Sequence, residues 1–338
     1  MINLYSDTQT RPSEGMRRAM YDAEVADEQR RRDPTVNALQ ERVAELLGKE
    51  AALFLPSGTM CNAISFRVHI DKGGDEVILH EQAHPIIAEA GGPAAISGAM
   101  MKPLAAGGGI FSADQVEQAI RPIDRYMPRS RLLSVEQTTN MGGGRVWPQE
   151  RLRAVVEVAK RNDMRTHMDG ARLMNAVVAS GVPAAQHADG FDTAWVDFTK
   201  GLGAGVGACM AASAELIEQA WRYKQMWGGS FRQSGGIAAA CLYALDHNVE
   251  RLAEDHENAR LLADGLAAIP GIEIDAATVE TNIVIFRPPN ARALIQALAD
   301  RVELSGPVSG DKVRAVTHMD VSREEVERAL SLIQKAVR

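Results

Sequence analysis

Lysine is the residue type that first suggests chemistry in this chain, because only eight of its 37 basic residues are lysine. Seven of these lie among polar residues or beside turn-forming residues, where a solvated surface charge is a sufficient interpretation: Lys49, Lys72, Lys102, Lys160, Lys224, Lys312 and Lys335. Lys200 differs, because it follows the apolar stretch Thr193–Phe198 and precedes Gly201 and Gly203. An ammonium group at the end of a buried strand costs free energy, whereas a neutral amine there is a nucleophile suited to Schiff-base chemistry. Lys200 is therefore predicted to be catalytic.

Asp169 is a second candidate, at the end of another apolar stretch. Ligands of open parallel sheets bind beyond the carboxyl ends of the strands, so Asp169 and Lys200 are expected at one edge. An aspartate at a strand end often only caps a helix. Beside a lysine nucleophile, it can instead be the anion that keeps the pyridine nitrogen of a cofactor protonated.

A phosphate site is predicted at Pro56–Met60, which reads Pro-Ser-Gly-Thr-Met and opens a helix after the predicted strand Ala52–Leu55. Backbone N–H groups at a helix N-terminus bind phosphate, and the hydroxyls of Ser57 and Thr59 can add to them. The alternative is an ordinary capped helix start. Each of the three elements is ambiguous alone, but together they predict a phosphorylated pyridine cofactor.

The segment His80-Glu-Gln-Ala-His84 matches the zinc-protease pattern H-E-x-x-H, which requires both histidines on one helix face. Here it follows a predicted strand, and Pro85 disfavours helical geometry at His84. A zinc hydrolase stays an alternative that predicts metal-dependent activity, and no metal is expected. The glycine clusters complete neither a dinucleotide fingerprint nor a Walker motif, and a G-x-S-x-G elbow is absent from the sequence.

Short apolar stretches alternate with helical ones along most of the chain. The predicted strands are Ala52–Leu55, Val77–Leu79, Leu132–Val135, Thr166–Met168, Thr193–Phe198 and Gly207–Ala211. This alternation predicts an α/β fold, a mostly parallel sheet flanked by helices. Asp33 is expected to cap a helix that Gly48 ends. The stretch Gly235–Ala268 is expected to be helical throughout.

Beyond Pro270 the pattern changes to a small α+β unit. Its predicted elements are strands Ile272–Ile274, Thr281–Phe286 and Lys312–Thr317 and helices Ala291–Arg301 and Arg323–Val337, the last opened by a capping box at Ser322–Glu325. We therefore expect a large domain, residues 1–250 with an N-terminal arm 1–30, and a small C-terminal domain, residues 251–338.

The composition limits the function classes. A net charge of 37 − 44 = −7 argues against a nucleic-acid-binding protein. No stretch approaches the roughly 18 apolar residues of a membrane span. The first residues lack the apolar core of a secretion signal, and three widely separated cysteines fit reduced thiols, so a cytoplasmic location is expected.

Taken together, these motifs resemble the L-threonine aldolase branch of the pyridoxal-phosphate-dependent β-eliminating lyases, whose fold is like that of aspartate aminotransferase. The resemblance rests on Leu4–Pro12, Asp33–Asn37, Pro56–Met60, His80–Gly92, His167–Arg172, Asp197–Gly203, Gly228–Gly235 and Val316–Ser322. It spans nearly the whole chain and implies the aminotransferase-like fold, with a large domain that binds pyridoxal phosphate.

The resemblance also implies roles for individual residues. Lys200 would bind the cofactor aldehyde, Asp169 would pair with the pyridine nitrogen and His84 would stack on the ring. The phosphate would be held by Ser57, Gly58 and Thr59, with Arg232 as a further contact from the same or a neighbouring subunit. The carboxylate of the amino-acid substrate would be held by Ser6, Arg172 and Arg314.

The implied reaction is retro-aldol cleavage of a β-hydroxy-α-amino acid, such as L-threonine or L-allo-threonine, to glycine and an aldehyde. A homodimer or homotetramer with shared active sites is implied as well. The second hypothesis is β-elimination, which gives ammonia and a keto acid. A further hypothesis is a non-catalytic carrier of pyridoxal phosphate.

Two departures from the family pattern bear on the substrate. Thr139 stands where the family usually has a histidine, and a threonine hydroxyl is not a base at neutral pH. Either His84 or a water molecule acts as the base instead, or the reaction differs. The run Gln29–Arg32 replaces a tyrosine and a glycine. This run is either a solvated basic surface or, through a residue such as Arg30, a site for a second substrate carboxylate, as in β-hydroxyaspartate.

Overall fold

Strands and helices alternate along most of the chain in the computed structural model, which describes residues 1–308 and 310–337. The strands are β1 Ile2–Asn3, β2 Ala51–Leu55, β3 Glu76–His80, β4 Met100–Leu104, β5 Ser130–Glu136, β6 Arg165–Asp169, β7 Thr193–Asp197, β8 Ala208–Ala212, β9 Ile283–Phe286, β10 Val302–Glu303, β11 Ser305–Val308 and β12 Lys312–Val316. The helices are α1 Glu14–Asp22, α2 Pro34–Leu47, α3 Gly58–His69, α4 His84–Ile87, α5 Gly92–Ser97, α6 Ala113–Ala119, α7 Gln149–Arg161, α8 Leu173–Ser180, α9 Ala184–His187, α10 Ala214–Met226, α11 Gly235–His247, α12 Leu252–Ala267, α13 Ala291–Leu298 and α14 Arg323–Val337.

The central sheet has seven strands in the order β2-β8-β7-β6-β5-β3-β4. β4, β3, β5, β6 and β7 run parallel to one another, and β8, which lies between β7 and β2, runs antiparallel to both. The predicted mostly parallel α/β sheet is therefore confirmed. Since parallel strands end at the same edge, residues that follow β3, β5, β6 and β7 come together there.

The edge strand β4 is absent from the predicted strands. It contains Lys102 and Pro103, and among its residues only Leu104 is fully buried. Charged residues and proline are typical of edge strands, where the unpaired side faces solvent. An edge strand of this kind does not carry the apolar pattern that identified the buried strands.

The helix predictions hold for α2 and fail in part for α11 and α12. The side chain of Asp33 accepts a hydrogen bond from the amide of Val36 at 3.0 Å, and Gly48 ends α2 in the left-handed conformation. In contrast, the predicted continuous helix is interrupted between His247 and Leu252. Asn248 lies in this break and donates to the carbonyl of Leu202 at 2.7 Å, which ties the break to the loop after β7.

Two main hydrophobic cores correspond to the central sheet and to the C-terminal elements. The second core includes Ile2 and Leu4, and β1 pairs in parallel with β10. The start of the chain therefore packs with the C-terminal elements, while the predicted division at residue 250 stays a prediction. Over the described residues, none of the helices combines the length and apolar character needed to cross a membrane.

Candidate active site

A cavity of about 470 Å³ lies beyond the carboxyl ends of the parallel strands. Most of the predicted site residues line it: Ser6, Ser57, Gly58, Thr59, His84, Asp169, Arg172, Lys200 and Arg314. These residues come from loops and helix starts that are far apart in the sequence. The sheet edge brings them together, as the strand-end argument predicts.

Lys200 lies three residues beyond the end of β7, in the loop that leads to β8. Its side chain is 19% exposed and forms an ion pair with Asp197, the last residue of β7. Its Nζ lies 5.9 Å from the centroid of the Trp195 ring, and its backbone carbonyl accepts a hydrogen bond from the hydroxyl of Thr10 at 2.8 Å. The amine is therefore held at the cavity wall, with Asp197 as a direct partner.

Asp169 ends β6 and is almost completely buried. Its Oδ2 accepts a hydrogen bond from Nδ2 of Asn62 at 2.7 Å, and its Oδ1 accepts one from the amide of Ala171 at 3.0 Å. Burial is the main influence on this carboxyl group and raises its pKa, while the Asn62 bond acts in the opposite direction. Asp169 is thus a buried acid whose charge depends on these donors and on positive groups in the cavity.

The turn Ser57–Thr59 leads from β2 into the 12-residue helix α3. Ser57 caps the helix by accepting a hydrogen bond from the amide of Met60 at 3.2 Å. Within the described residues, the amides of Gly58 and Thr59 have no hydrogen-bond acceptor. A side chain at position 58 would overlap the ring of Trp195, which accounts for a glycine here. Two free N–H groups beside two hydroxyls form a site for an anion such as phosphate.

His84 begins α4, and its Nδ1 hydrogen-bonds the buried carboxylate of Glu89 at 2.8 Å. This bond is the main reason that the pKa of His84 is raised. His80 ends β3 and contacts the carbonyl of Ala106 through Nε2 at 3.0 Å. A zinc protease requires both histidines on one helix. His80 and His84 lie on different elements and do not meet this requirement. In the part of the chain that the structure describes, no cluster of three or more ligating side chains could hold a metal ion.

Two arginines supply positive charge to the cavity. Arg172 is buried and forms a bidentate pair with Asp7, with Nε–Oδ2 and Nη2–Oδ1 distances of 2.7 and 2.6 Å. Arg314 donates from Nη1 to Asn140 at 2.7 Å, while its buried Nε lacks a partner among the described residues. Burial, followed by the nearby charge of Arg172, lowers the pKa of Arg314. Asp7 therefore occupies two of the donor groups with which Arg172 was predicted to bind the substrate carboxylate. Arg314 has more donor groups free for that carboxylate.

Ser6 reaches the cavity because the N-terminal segment crosses from the C-terminal core to the sheet edge. Its hydroxyl accepts hydrogen bonds from the amide and the hydroxyl of Thr8, at 3.2 and 2.9 Å. The next residue, Asp7, also accepts from Asn282 at 3.0 Å. Asp7 is completely buried, and its carboxyl links this segment to Arg172, at the start of α8, and to Asn282 beside β9.

Three predicted site residues do not line this cavity. The hydroxyl of the buried Thr139 accepts a hydrogen bond from the amide of Arg145 at 3.1 Å, and a substrate contact from Thr139 stays a prediction. Arg30 and Arg232 are exposed on adjoining segments, which are joined by a bond from the amide of Glu28 to the carbonyl of Arg232 at 2.9 Å. A contact from either arginine to the site of a neighbouring subunit stays a prediction.

The solvated-surface interpretation of Lys224 is wrong. Its side chain is completely buried, forms an ion pair with the buried Glu28 and lies 4.5 Å from the centroid of the Trp221 ring. Lys49 is also half-buried, and its Nζ donates to the carbonyl of Phe191 at 2.6 Å. Local polarity around a lysine cannot reveal a partner almost 200 residues away, as Glu28 is from Lys224.

The cavity also contains groups that the motif analysis missed, above all Glu136 at the end of β5. Its Oε2 accepts a hydrogen bond from the amide of Asn140 at 2.8 Å. Burial and the neighbouring Asp169 raise the pKa of Glu136 to about 7. Its position at a strand end in register with Asp169 is the signal that could have identified it.

Comparison with known proteins gives consistent results. Residues 3–288 match the family model described as beta-eliminating lyase. The chain is 41% identical over 331 residues to the low specificity L-threonine aldolase of Escherichia coli K12, with 96% of each protein covered. It is 39% identical over 344 residues to low-specificity L-threonine aldolase 1 of Arabidopsis thaliana, covering 99% of this chain and 96% of that protein.

The fold is likewise found in solved structures. The solved structure of Leishmania major threonine aldolase superposes with a TM-score of 0.85 at 19% identity, with each chain covered completely. At this level of identity the match concerns the fold. It agrees with a large α/β sheet followed by a small C-terminal sheet.

Proposed function

We propose that this chain, which belongs to the beta-eliminating lyase family, cleaves β-hydroxy-α-amino acids to glycine and an aldehyde with pyridoxal 5′-phosphate as cofactor. One observation carries the proposal: Lys200, Asp169 and the turn Ser57–Thr59 line one cavity, in a chain 41% identical to a low specificity L-threonine aldolase. Both the cavity residues and the family support assignment of the chain as a carbon–carbon lyase that acts on a small amino acid.

The residues present fit the cofactor. The unpaired amides of Gly58 and Thr59 and the two hydroxyls beside them suit its phosphate, and Asp169 is a buried acid suited to a pyridinium nitrogen. Lys200 supplies the amine. When bound, the cofactor supplies an electron sink for the electron pair of the broken Cα–Cβ bond.

The protein has three tasks in this reaction. Arg314, with the remaining donor capacity of Arg172, holds the substrate carboxylate, because guanidinium groups bind both oxygens at once. His84 or Glu136 takes the proton of the β-hydroxyl as the Cα–Cβ bond breaks and the aldehyde leaves. A proton is then returned to Cα, which completes glycine. Burial raises the pKa of Glu136 to about 7, which suits proton transfer at neutral pH, and the hydrogen bond to Glu89 raises the pKa of His84.

Threonine at position 139 supports β-elimination as a second candidate, since the family histidine is missing there. The exposed Arg30 supports a further extension of the proposal, to an acidic substrate such as β-hydroxyaspartate, if it reaches a neighbouring subunit. A homodimer or homotetramer would provide such a neighbour. The three free, buried cysteines, Cys61, Cys209 and Cys241, agree with a reducing, cytoplasmic location.

The decisive experiment incubates the enzyme and pyridoxal phosphate with L-threonine, L-allo-threonine and β-hydroxyaspartate. Glycine and aldehyde are assayed in parallel with ammonia and keto acid. We expect glycine and aldehyde in equal amounts, and a loss of activity in Lys200→Ala. Ammonia and keto acid as the main products would establish β-elimination instead, and full activity in Lys200→Ala would overturn the cofactor assignment.

A further inference from the structure

Asn62, in the second turn of α3, lies between two buried carboxylates of the cavity region. Its Nδ2 donates to Asp169 Oδ2 at 2.7 Å and to Glu89 Oε1 at 2.8 Å. The same oxygen of Glu89 contacts Nδ1 of His84. The Asn62 amide therefore connects Asp169, the predicted partner of the cofactor nitrogen, through Glu89 to His84, the residue predicted to stack on the cofactor ring.

The orientation of this amide is fixed by its other partners. Asn62 Oδ1 accepts from Nε1 of Trp195 at 2.8 Å and contacts Nε2 of His167 at 3.0 Å. A carboxylate only accepts hydrogen bonds and an indole N–H only donates them, so the oxygen and nitrogen of the amide cannot be exchanged. His167 must therefore carry its proton on Nε2.

The donor and acceptor roles of the next residues, Thr193 and His69, follow from the protonation of His167. Burial lowers the pKa of His167, so the ring is neutral and its Nδ1 accepts from the hydroxyl of Thr193 at 2.8 Å. The hydroxyl of Thr193 in turn contacts Nε2 of His69 at 3.0 Å, and burial lowers the pKa of His69 to about 4. The donors therefore follow one direction: His69 donates to Thr193, Thr193 to His167, and His167 to Asn62.

We propose that Asn62 is a positioning residue that keeps Asp169 ionised and aimed into the cavity, and that holds Glu89 as the partner of His84. Burial alone would favour a neutral Asp169, and the neighbouring Glu89 charge adds to that effect. The charge-assisted bond from Asn62 Nδ2 to Asp169 opposes both effects, and the second bond, to Glu89, holds that carboxylate in place beside His84. The benefit to cofactor binding rests on the proposed function, whereas the effect on the Asp169 carboxyl does not.

The test uses Asn62→Asp, which keeps an oxygen acceptor for Trp195 and His167 but replaces the donor group. Asn62→Ala removes the donors without adding charge. Asn258→Asp is the matched control, because Asn258 is a buried asparagine that bonds the backbone of Val321, away from the cavity. Thermal unfolding of all variants identifies any that fail to fold.

We expect the dissociation constant of pyridoxal phosphate to rise about tenfold or more in Asn62→Asp, because a hydrogen bond to a charged group is lost. The pH midpoint of the visible absorption of the bound cofactor should also move, and the control should match the wild type in both. In the full chain without added cofactor, carboxyl titration followed by ¹³C NMR, assigned with Asp169→Asn, should show Asp169 titrating at higher pH in both Asn62 variants.

Unchanged titration of Asp169 in folded Asn62→Asp and Asn62→Ala would overturn the inference. If the wild type bound no pyridoxal phosphate, the proposed function would fail. The carboxyl titration would still decide whether Asn62 controls Asp169.

Discussion

Glu136 is a cavity residue whose charge state changes near neutral pH. Its pKa rises from 4.5 to about 7 in the folded chain, mainly through burial. The folded state therefore binds a proton that the unfolded state releases, and the associated stabilisation is present below pH 4.5 and lost as the pH rises through about 7.

Replacing Glu136 by glutamine removes this pH dependence, because the amide is neutral in both states. We expect the free energy of unfolding of the wild type, relative to Glu136→Gln, to fall by up to about 3 kcal/mol between pH 4.5 and pH 8. Urea unfolding at several pH values measures it. Glu157→Gln, at an exposed glutamate of α7, should keep the wild-type slope. Parallel slopes for the wild type and Glu136→Gln would contradict a raised pKa.

His84 and Glu136 also compete for the same catalytic task, and variants distinguish them. The residue that takes the β-hydroxyl proton must be deprotonated, so kcat should rise with pH through the pKa of that residue. Removing it should lower kcat by about 10²- to 10⁴-fold and abolish this rise, whereas removing the other should preserve it. Measuring kcat against pH for His84→Asn and Glu136→Gln decides the question. If both variants keep the wild-type rise, neither residue is the base.

At the scale of elements, the start of α3 is the most constrained part of the site. Gly58 leaves room for the Trp195 ring, and the same ring donates to Asn62 one turn further along α3. Gly58→Ala must therefore displace either the ring or the helix start. We expect a stability loss of about 1–3 kcal/mol from overpacking, together with weaker cofactor binding.

Thermal unfolding and a pyridoxal phosphate titration check this expectation. Gly73→Ala is the control, since a side chain at position 73 meets no neighbouring atom. Gly58→Ala with wild-type stability and affinity would show that the close contact is easily relieved.

The same elements show how far sequence reasoning reaches. Asp33 and Gly48 bound α2 as predicted, because caps and left-handed glycines act within a few residues. Asp169 and Lys200 met at one cavity, because parallel strands share an edge. The pairing of Asp7 with Arg172 could not be predicted, since the partners are 165 residues apart and only the folded chain brings them together.

At the scale of the whole molecule, the buried pair of Glu28 and Lys224 joins two distant segments. Glu28 also accepts a hydrogen bond from the hydroxyl of Ser234 at 2.7 Å, so its carboxylate is fully used within the chain. The pair joins the two segments, on which Arg30 and Arg232 are both exposed. An exposed basic surface outside its own cavity is suited to completing the site of another subunit.

Subunit complementation tests whether Arg232 serves a neighbouring site. Lys200→Ala and Arg232→Ala subunits carrying different tags are co-expressed, and mixed oligomers are purified through both tags and assayed at limiting pyridoxal phosphate. If Arg232 acts across an interface, some sites contain an intact Lys200 from one subunit and an intact Arg232 from the other, so activity exceeds that of either variant alone. Lys200→Ala with Asp169→Asn is the control and should show no recovery, because both residues line the same cavity of one chain. Mixed oligomers without recovered activity would place Arg232 outside the shared site.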